Sequence, residues 1–238
     1  MLGGIAWLHG QQSPISTDRP AVTNSSVVVP IGTVQMENGI ADTTAAGQRN
    51  FDGPESLIVY GLTGSTELRL TVPDYNFSAL ASGFGDLAVG VKQQIGHSQS
   101  GFDASLIVFV SFPTGANAVS SHGYDPGLQV PWSQKLSENW TAAGMLSLYW
   151  PTEVGSRNLT GESTFLFDRQ LTGPWDAFIE YAGDFPERGG PRHLLHFGTA
   201  YKLGQNQQVD FHVGVGLSRA AVDHFIGIGY SFRFQARK

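Results

Sequence analysis

Cysteine is absent from this chain of 238 residues. Its absence excludes disulfide bonds, thiolate metal sites and thiol nucleophiles. Charge is scarce too, because Asp, Glu, Lys and Arg together make up 14% of the residues and the net charge is −6. A chain without a basic excess lacks the electrostatic footprint of a nucleic-acid-binding protein. We therefore expect no nucleic-acid partner.

Long hydrophobic runs are absent as well. A membrane-spanning helix needs about 20 consecutive apolar residues, and the apolar runs here, such as Leu106 to Val110, are far shorter. Hydrophobic residues nevertheless account for 41% of the chain. Apolar residues that are numerous but dispersed are typical of strands that are apolar at every second position.

The segment from Val222 to Phe234 shows this alternation most clearly. One set of alternate residues is mostly apolar and the other mostly small or polar, so a strand here has one apolar and one polar face. Its length is near the roughly ten residues that a tilted strand needs to cross a bilayer. A last strand with alternating aromatics at Tyr230, Phe232 and Phe234 is similar to the C-terminal signal of bacterial outer-membrane β-barrels. We expect the barrel-assembly machinery to bind this strand.

The same period of two occurs in earlier segments, and together they predict about twelve strands. The apolar faces carry almost no charge, as lipid exposure demands, since a charge at mid-bilayer costs roughly 2–4 kcal/mol. The other segments are Ile31 to Gly39, Leu57 to Leu62, Glu67 to Pro73, Gly85 to Ile95, Phe102 to Phe112, Leu128 to Leu136, Trp140 to Trp150, Leu159 to Leu171, Trp175 to Gly183, His193 to Leu203 and Val209 to Leu217.

The connections between these segments alternate between long and short, as in barrels with long extracellular loops and short periplasmic turns. The long ones are Ile40 to Pro54, Val72 to Gly83, Pro113 to Pro126, Pro151 to Asn158 and Asp184 to Arg192. The prediction is an all-β fold: a single, closed, antiparallel up-and-down transmembrane β-barrel in the bacterial outer membrane, in contact with its lipid. The alternative is a soluble β-sandwich or lipocalin-like barrel with the apolar face as its core.

We divide the chain into an N-terminal segment, residues 1–25, and the barrel, residues 26–238. Met1 to Gly10 is apolar and is either the remnant of a signal peptide or a tail on the surface. The following stretch, as far as Ser26, is polar and proline-punctuated, and we expect an irregular periplasmic lead-in. Asp18 and Arg19 form a compact charged motif there. We expect them to plug the periplasmic mouth by pairing with charges in the lumen; the alternative is an ordinary turn.

The inward faces collect nearly all the charged residues of the strands. They form either a mutually neutralising network, since buried charges need partners, or a solute path whose acid excess disfavours anions. The predicted lumen residues are Glu37, Glu67, Arg69, Asp86, Lys92, Asp103, Asp168, Asp176, Glu180, His196, Lys202, Asp210, His212 and Arg233.

The histidines do not indicate a metal site, because their spacing matches no metal signature. For His196 and His212, on adjacent strands, we expect a hydrogen-bonded pair, with a proton relay as the alternative. His193 and His224 face outward without an obvious serine partner for hydrolysis. No phosphate-binding loop or nucleophile elbow occurs. We therefore predict neither an enzyme nor a cofactor.

The order of several short motifs resembles the outer-membrane transporter family named for the meta-pathway of phenol degradation. The resemblance runs from about Ile15 to Phe234 and implies an outer-membrane barrel loosely associated with uptake of aromatic or other hydrophobic compounds. One departure is Val59, where the family pattern has a lumenal arginine. The motifs are Ile15-Ser16-Thr17-Asp18-Arg19-Pro20, Gln35-Met36-Glu37-Asn38-Gly39, Tyr60-Gly61-Leu62-Thr63, Glu67-Leu68-Arg69-Leu70, Gly85-Asp86-Leu87, Gly90-Val91-Lys92, Phe112-Pro113-Thr114-Gly115, Val209-Asp210, Gly216-Leu217-Ser218 and Gly227-Ile228-Gly229.

Three functions follow from these observations. The first is a passive or gated porin-like channel for small, aromatic or hydrophobic solutes. The second is a structural or adhesive barrel that transports nothing and interacts through the loops Ile40 to Pro54 and Pro113 to Pro126. The third, with the least support, is an outer-membrane lipid hydrolase.

Overall fold

The computed structural model describes residues 13–153 and 155–236. The expected signal remnant, Met1 to Gly10, lies outside these residues. Within them every regular element is a strand, and no helix is long and apolar enough to cross a membrane. The strands are β1 (Thr33–Ala45), β2 (Gln48–Gly53), β3 (Leu57–Gly61), β4 (Thr66–Thr71), β5 (Tyr75–Ser78), β6 (Ser82–Phe84), β7 (Leu87–His97), β8 (Phe102–Phe112), β9 (Asp125–Lys135), β10 (Trp140–Tyr149), β11 (Thr152–Glu153), β12 (Ser156–Arg157), β13 (Thr160–Thr172), β14 (Trp175–Pro186), β15 (Arg192–Lys202), β16 (Gln207–Gly216) and β17 (His224–Gln235).

Twelve of these strands form a closed antiparallel ring. Its order is β1-β3-β4-β7-β8-β9-β10-β13-β14-β15-β16-β17, and β17 pairs back onto β1 from Thr33–Gln235 to Thr44–His224. Closure gives the main-chain groups of the first and last strands a partner and removes the exposed edges of the sheet. The closed, up-and-down barrel of twelve strands predicted from the sequence is therefore confirmed. We call the end with the short connections the turn end and the opposite end the loop end.

Two of the connections predicted as loops are largely strands. β1 runs on to Ala45 instead of ending at Gly39, and β2 folds back on it. The turn between them has positive φ at Ala46 (48°) and Gly47 (73°), which suits a two-residue hairpin. β5 and β6 occupy the connection predicted from Val72 to Gly83 and extend the same sheet beyond the ring. These strands are too short for the apolar alternation used in the prediction to mark them.

Polarity in the barrel is inverted relative to a soluble protein. Glu67 and Lys92 are each 1% exposed on the inward face, whereas Val108 and Ile228 are 52% and 51% exposed on the outward face. In water the outward side chains would leave a continuous apolar belt uncovered, and soluble proteins rarely expose a patch of that size. A soluble sandwich with an apolar core, the alternative considered from the sequence, does not describe this molecule.

The charge-free outer belt predicts that a lysine on the lipid-facing surface destabilises the barrel most at the middle of the bilayer and least near its edge. Ile228 lies halfway along β17, opposite Ile40 and Phe211 on the neighbouring strands. In phospholipid vesicles we expect Ile228→Lys to lower the free energy of unfolding by about 2–4 kcal/mol, and Leu203→Lys, at the turn end, by about 0–1 kcal/mol. Equilibrium unfolding in denaturant measures both. Equal losses would contradict a belt that spans the bilayer.

Candidate functional site

The polypeptide that precedes β1 lies inside the barrel. We call residues 13–30 the plug. It has no regular secondary structure and begins at the turn end, where the Ile15 amide donates to the Gln205 carbonyl at 2.9 Å. The guanidinium of Arg233 donates a hydrogen bond to the carbonyl of Ser13 and so holds the same end of the plug. Because the plug cannot satisfy its own main-chain groups, the barrel wall must supply their partners.

Three glutamates of the wall, Glu37, Glu67 and Glu180, accept hydrogen bonds from main-chain amides of the plug. Each is no more than 1% exposed. Hydrogen bonds to a carboxylate are shorter and stronger than those between neutral groups, so each glutamate is an anchor for the irregular chain. The donors are Asp18 (3.0 Å) and Arg19 (2.9 Å) to Glu37, Val22 (2.8 Å) and Thr23 (2.7 Å) to Glu180, and Val29 (2.8 Å) to Glu67.

Asp18 completes a buried network of alternating charges. It contacts both Arg69 and Lys92, and Glu67 contacts the same two cations at 2.8 and 3.2 Å. Burial by itself favours a neutral Asp18, but Arg69 and Lys92 outweigh it and lower the pKa of this carboxyl to about 2. The plug therefore carries an ionised aspartate into a place where the wall has matching positive charge.

Arg19 occupies a seat formed by two glycines. Gly39 of β1 and Gly229 of β17 are register partners, and a Cβ on them would lie 2.2 Å from Cζ and 2.4 Å from Nε of Arg19. The guanidinium thus lies directly against main chain that only glycine leaves bare. Asp210, at 3.3 Å, and Glu55 supply the opposite charges.

His196 and His212 form the hydrogen-bonded pair expected from the sequence. Nδ1 of His196 lies 2.8 Å from Glu180, and its Nε2 lies 3.0 Å from Nδ1 of His212. The assignment that gives the largest number of these nitrogen and oxygen atoms a hydrogen bond has Nδ1–H of His196 donating to Glu180. In it, Nδ1–H of His212 donates to Nε2 of His196. Glu180 thereby connects the histidine pair to the plug at Thr23, whose hydroxyl is 2.6 Å from the same carboxylate. In the described residues no group of three or more His, Asp or Glu is arranged to hold a metal ion.

Aromatic rings on the inner face lie across glycines of the adjacent strand. In every case the glycine is the register partner of the ring, and a Cβ there would lie within 2.4 Å of a ring atom. Rings held flat against the wall in this way occupy less of the lumen than rings that point inward. The pairs, with the distance from an ideal Cβ, are Phe109–Gly127 (2.2 Å), Phe178–Gly198 (2.4 Å), Phe225–Gly214 (2.2 Å) and His212–Gly227 (2.1 Å).

The plug separates two cavities in the lumen. Each has a volume of about 450 Å³, and Asp18, Arg19 and Asn24 of the plug line both. The turn-end cavity is further lined by Leu166, Asp168, Asp176, Phe178, Lys202 and Gln208, among others. The loop-end cavity is further lined by Leu57, Thr71, Asp86, Ile107, Phe109 and Gln129, among others. The polar path along the barrel axis is therefore interrupted by the chain's own N-terminal segment.

The residues predicted from the sequence to face the lumen fall into separate groups. Those that contact the plug are Glu37, Glu67, Arg69, Lys92, Glu180, Asp210 and Arg233, and those in the turn-end cavity are Asp168, Asp176 and Lys202. Asp86 lines the loop-end cavity and also anchors a loop through the amides of Gly115 and Ser121, and Asp103 pairs with His97 at the turn end.

Four other positions differ from expectation or escaped it. Arg19 lies against Gly39 and Gly229, and Asp18 lies beside Arg69 and Lys92, so both are deeper in the barrel than the mouth at which they were expected. Val59, at the position of the family arginine, is buried opposite Arg69 in β4. Glu55, the second partner of Arg19, was missed because it lies between the predicted loop that ends at Pro54 and the predicted strand that begins at Leu57, where alternation carries no signal.

The closed ring and its inverted polarity define a β-barrel of the outer-membrane class. The chain belongs to the family described as "Putative MetA-pathway of phenol degradation", whose profile matches residues 17–234. A search of curated proteins found no match.

Solved structures share the fold at low sequence identity. An outer membrane channel from Pseudomonas putida F1 is 13% identical, with a TM-score of 0.68 over 88% of this chain and 98% of that one. The NanC porin is 10% identical, with a TM-score of 0.61 over 84% and 98%, and the KdgM porin is 10% identical, with 0.59 over 85% and 99%.

The contact of Arg19 with Gly39 and Gly229 predicts that a methyl group added at one of these glycines loosens the plug. In a Ser26→Cys background, where the thiol is the only one in the chain and replaces a side chain that is 6% exposed, we expect Gly229→Ala to displace Arg19. Labelling by a thiol reagent should accelerate roughly tenfold or more, the ratio that corresponds to about 1.4 kcal/mol of lost docking energy. Gly161→Ala is the matched control, because a Cβ there meets nothing within 4 Å. Equal labelling rates in the two variants would show that the seat does not hold the plug.

Proposed function

We propose that this protein is a gated channel of the bacterial outer membrane, closed at rest by its plug. In this proposal the turn end faces the periplasm, the loop end faces the exterior, and small solutes, aromatic or otherwise hydrophobic ones included, pass when the plug withdraws. The observation that carries the proposal is the division of one polar lumen into two cavities by residues of the plug.

The contacts of the plug support a reversible closure. Its middle part is held by hydrogen bonds and ion pairs, whereas buried apolar side chains occur near its ends, at Ile15 and Val29. Water can replace polar contacts, at a net cost of about 1.5–3 kcal/mol for each hydrogen bond to a charged group. Withdrawal of the middle part therefore exposes little apolar surface and leaves the barrel wall intact.

The character of the lumen supports the choice of solutes. Acids outnumber bases among its charged residues, which disfavours anions. Rings such as Phe109 and Phe178 lie flat along the wall and offer apolar surface within a polar path. The family membership supports aromatic or hydrophobic compounds, and the shared fold with solved outer membrane channels and porins supports passage through the barrel.

A lipid hydrolase has less support from the geometry. Nδ1 of the outward His193 lies 2.7 Å from the hydroxyl of Tyr181, and Ser218 contacts the main-chain amide of His193 rather than its ring. A Ser–His nucleophile requires the serine hydroxyl at the imidazole. A purely structural barrel is the other alternative, and conductance separates it from a channel.

A disulfide across the plug tests the proposal. The hydroxyls of Ser26 in the plug and Ser133 in β9 are 2.7 Å apart, and the chain has no other cysteine, so Ser26→Cys/Ser133→Cys places two thiols face to face and can form a single disulfide across the plug. In planar bilayers we expect the oxidised double variant to lose all openings and the reduced one to regain them. The two single variants under the same oxidant are the controls. A locked barrel that conducts like the reduced one would refute gating by the plug.

Weakening an anchor should have the opposite effect. Glu180→Gln removes the charge that holds Val22 and Thr23, and we expect longer or more frequent openings than in the unmodified protein. Glu138→Gln, which removes an exposed acid in the turn before β10, should change nothing. Small aromatic solutes added to one side should interrupt the openings. If the unmodified protein and Glu180→Gln both insert and stay silent, the barrel is structural and the channel proposal is wrong.

A further inference from the structure

The turn-end cavity has the features of a small-molecule site. Its volume of about 450 Å³ falls within the roughly 300–1,000 Å³ of typical ligand pockets. The plug closes one side, and apolar side chains form part of the lining, among them Ile15, Ala143, Leu166 and Phe178. Leu166 of the wall and Ile15 of the plug are 7% and 2% exposed, so both are packed side chains and not part of a mobile surface.

The charges around this cavity do not balance. Five charged residues line it, and four have an ion-pair partner: Asp18 pairs with Arg69 and Lys92, Arg19 with Glu55 and Asp210, and Asp176 with Lys202. The side chain of the fifth, Asp168, makes no hydrogen bond or ion pair with any residue that the structure describes, and the base that acts on it, Lys202, is paired with Asp176. A partly buried carboxylate without a partner is unfavourable, so Asp168 favours a ligand that brings a positive charge.

We propose that this cavity binds a small organic monocation, a primary ammonium on a compact apolar body. Asp168 would accept hydrogen bonds from the ammonium. Its register partners on the neighbouring strands are Thr141 and Phe178, which place a hydroxyl and an aromatic ring beside it. The hydroxyl can accept a second ammonium hydrogen, and a ring face attracts a cation. The apolar body would rest against Leu166 and Ile15.

Other ligand classes fit the cavity less well. An anion would meet three carboxylates, those of Asp18, Asp168 and Asp176, and the two bases of the lining, Arg19 and Lys202, are already paired with acids. A calcium ion takes six to eight oxygen ligands, and one free carboxylate cannot supply them. The inference goes beyond the proposed channel function, because binding at the turn end does not require the plug to move.

Calorimetric titration of the full chain, refolded into lipid nanodiscs, tests the inference with 2-phenylethylammonium as the probe. The neutral analogue 2-phenylethanol has the same apolar body. We expect the ammonium to bind with one site and the alcohol to bind at least tenfold more weakly. Asp168→Asn should weaken binding of the ammonium by roughly tenfold or more, as expected for loss of a charged hydrogen bond, and Glu138→Gln should not.

The outcomes separate the parts of the proposal. Asp168→Glu, which keeps the charge, should retain most of the binding if Asp168→Asn has lost it through charge and not through misfolding. Equal affinity for the ammonium and the alcohol, or unchanged affinity in Asp168→Asn, would overturn the assignment. Displacement of the probe by equimolar potassium chloride would overturn the organic class. A barrel that binds the probe but never conducts would refute the channel and leave this inference intact.

Discussion

Every backbone N–H and C=O that leaves bulk water needs a hydrogen-bond partner, and the architecture of this protein depends on that requirement. A sheet satisfies it only between strands, so the wall must close, and β17 meets β1 along nearly its whole length. The plug faces the same requirement without a strand of its own. Glu37, Glu67 and Glu180 meet it by accepting amides from an irregular chain.

The anchors of the plug create a second need, because buried carboxylates are costly without compensating charge or hydrogen bonds. Neighbouring residues compensate the charge of Glu67 and of Glu180. Glu67 shares Arg69 and Lys92 with Asp18 of the plug, and Glu180 is bonded by His196 as well as by the amides it holds. The charged residues of the wall and the charged residues of the plug therefore form one network.

Glycine has a specific function in this network. Gly39 and Gly229 leave main chain bare for the guanidinium of Arg19, and other inward glycines leave room for rings that lie against the wall. Small residues at these places make the lumen wide enough for both a plug and two cavities. A barrel of twelve strands is broader than the eight-stranded size that side chains alone fill, so the inner diameter and the glycine pattern together decide that the lumen holds a plug and cavities instead of a solid core.

The sequence by itself determined the membrane-facing half of this molecule. Each strand in contact with lipid must be apolar at every second position, and this demand acts on one strand at a time, so Phe102–Phe112 was predicted with the bounds that the structure has. It also determined the inward placement of the charges, because they had no other face to occupy. The strands β2 and β5 beyond the ring were not predicted in this way, since they are short and carry only one or two apolar residues each.

Only the tertiary structure decided which inward charges meet. Asp18 pairs with Lys92, 74 residues away in the sequence, and Arg19 pairs with Asp210, 191 residues away. The path of the plug that brings them together has no periodicity, and the seat of Arg19 exists only because ring closure places Gly39 beside Gly229. The alternation of apolar and polar residues along a strand indicates the environment of each face. Lipid and lumen differ so much in polarity that the residues of a single strand are enough to tell the two faces apart. Pairing within the lumen depends on closure and on the course of an irregular segment, and neither leaves a pattern in the neighbouring residues.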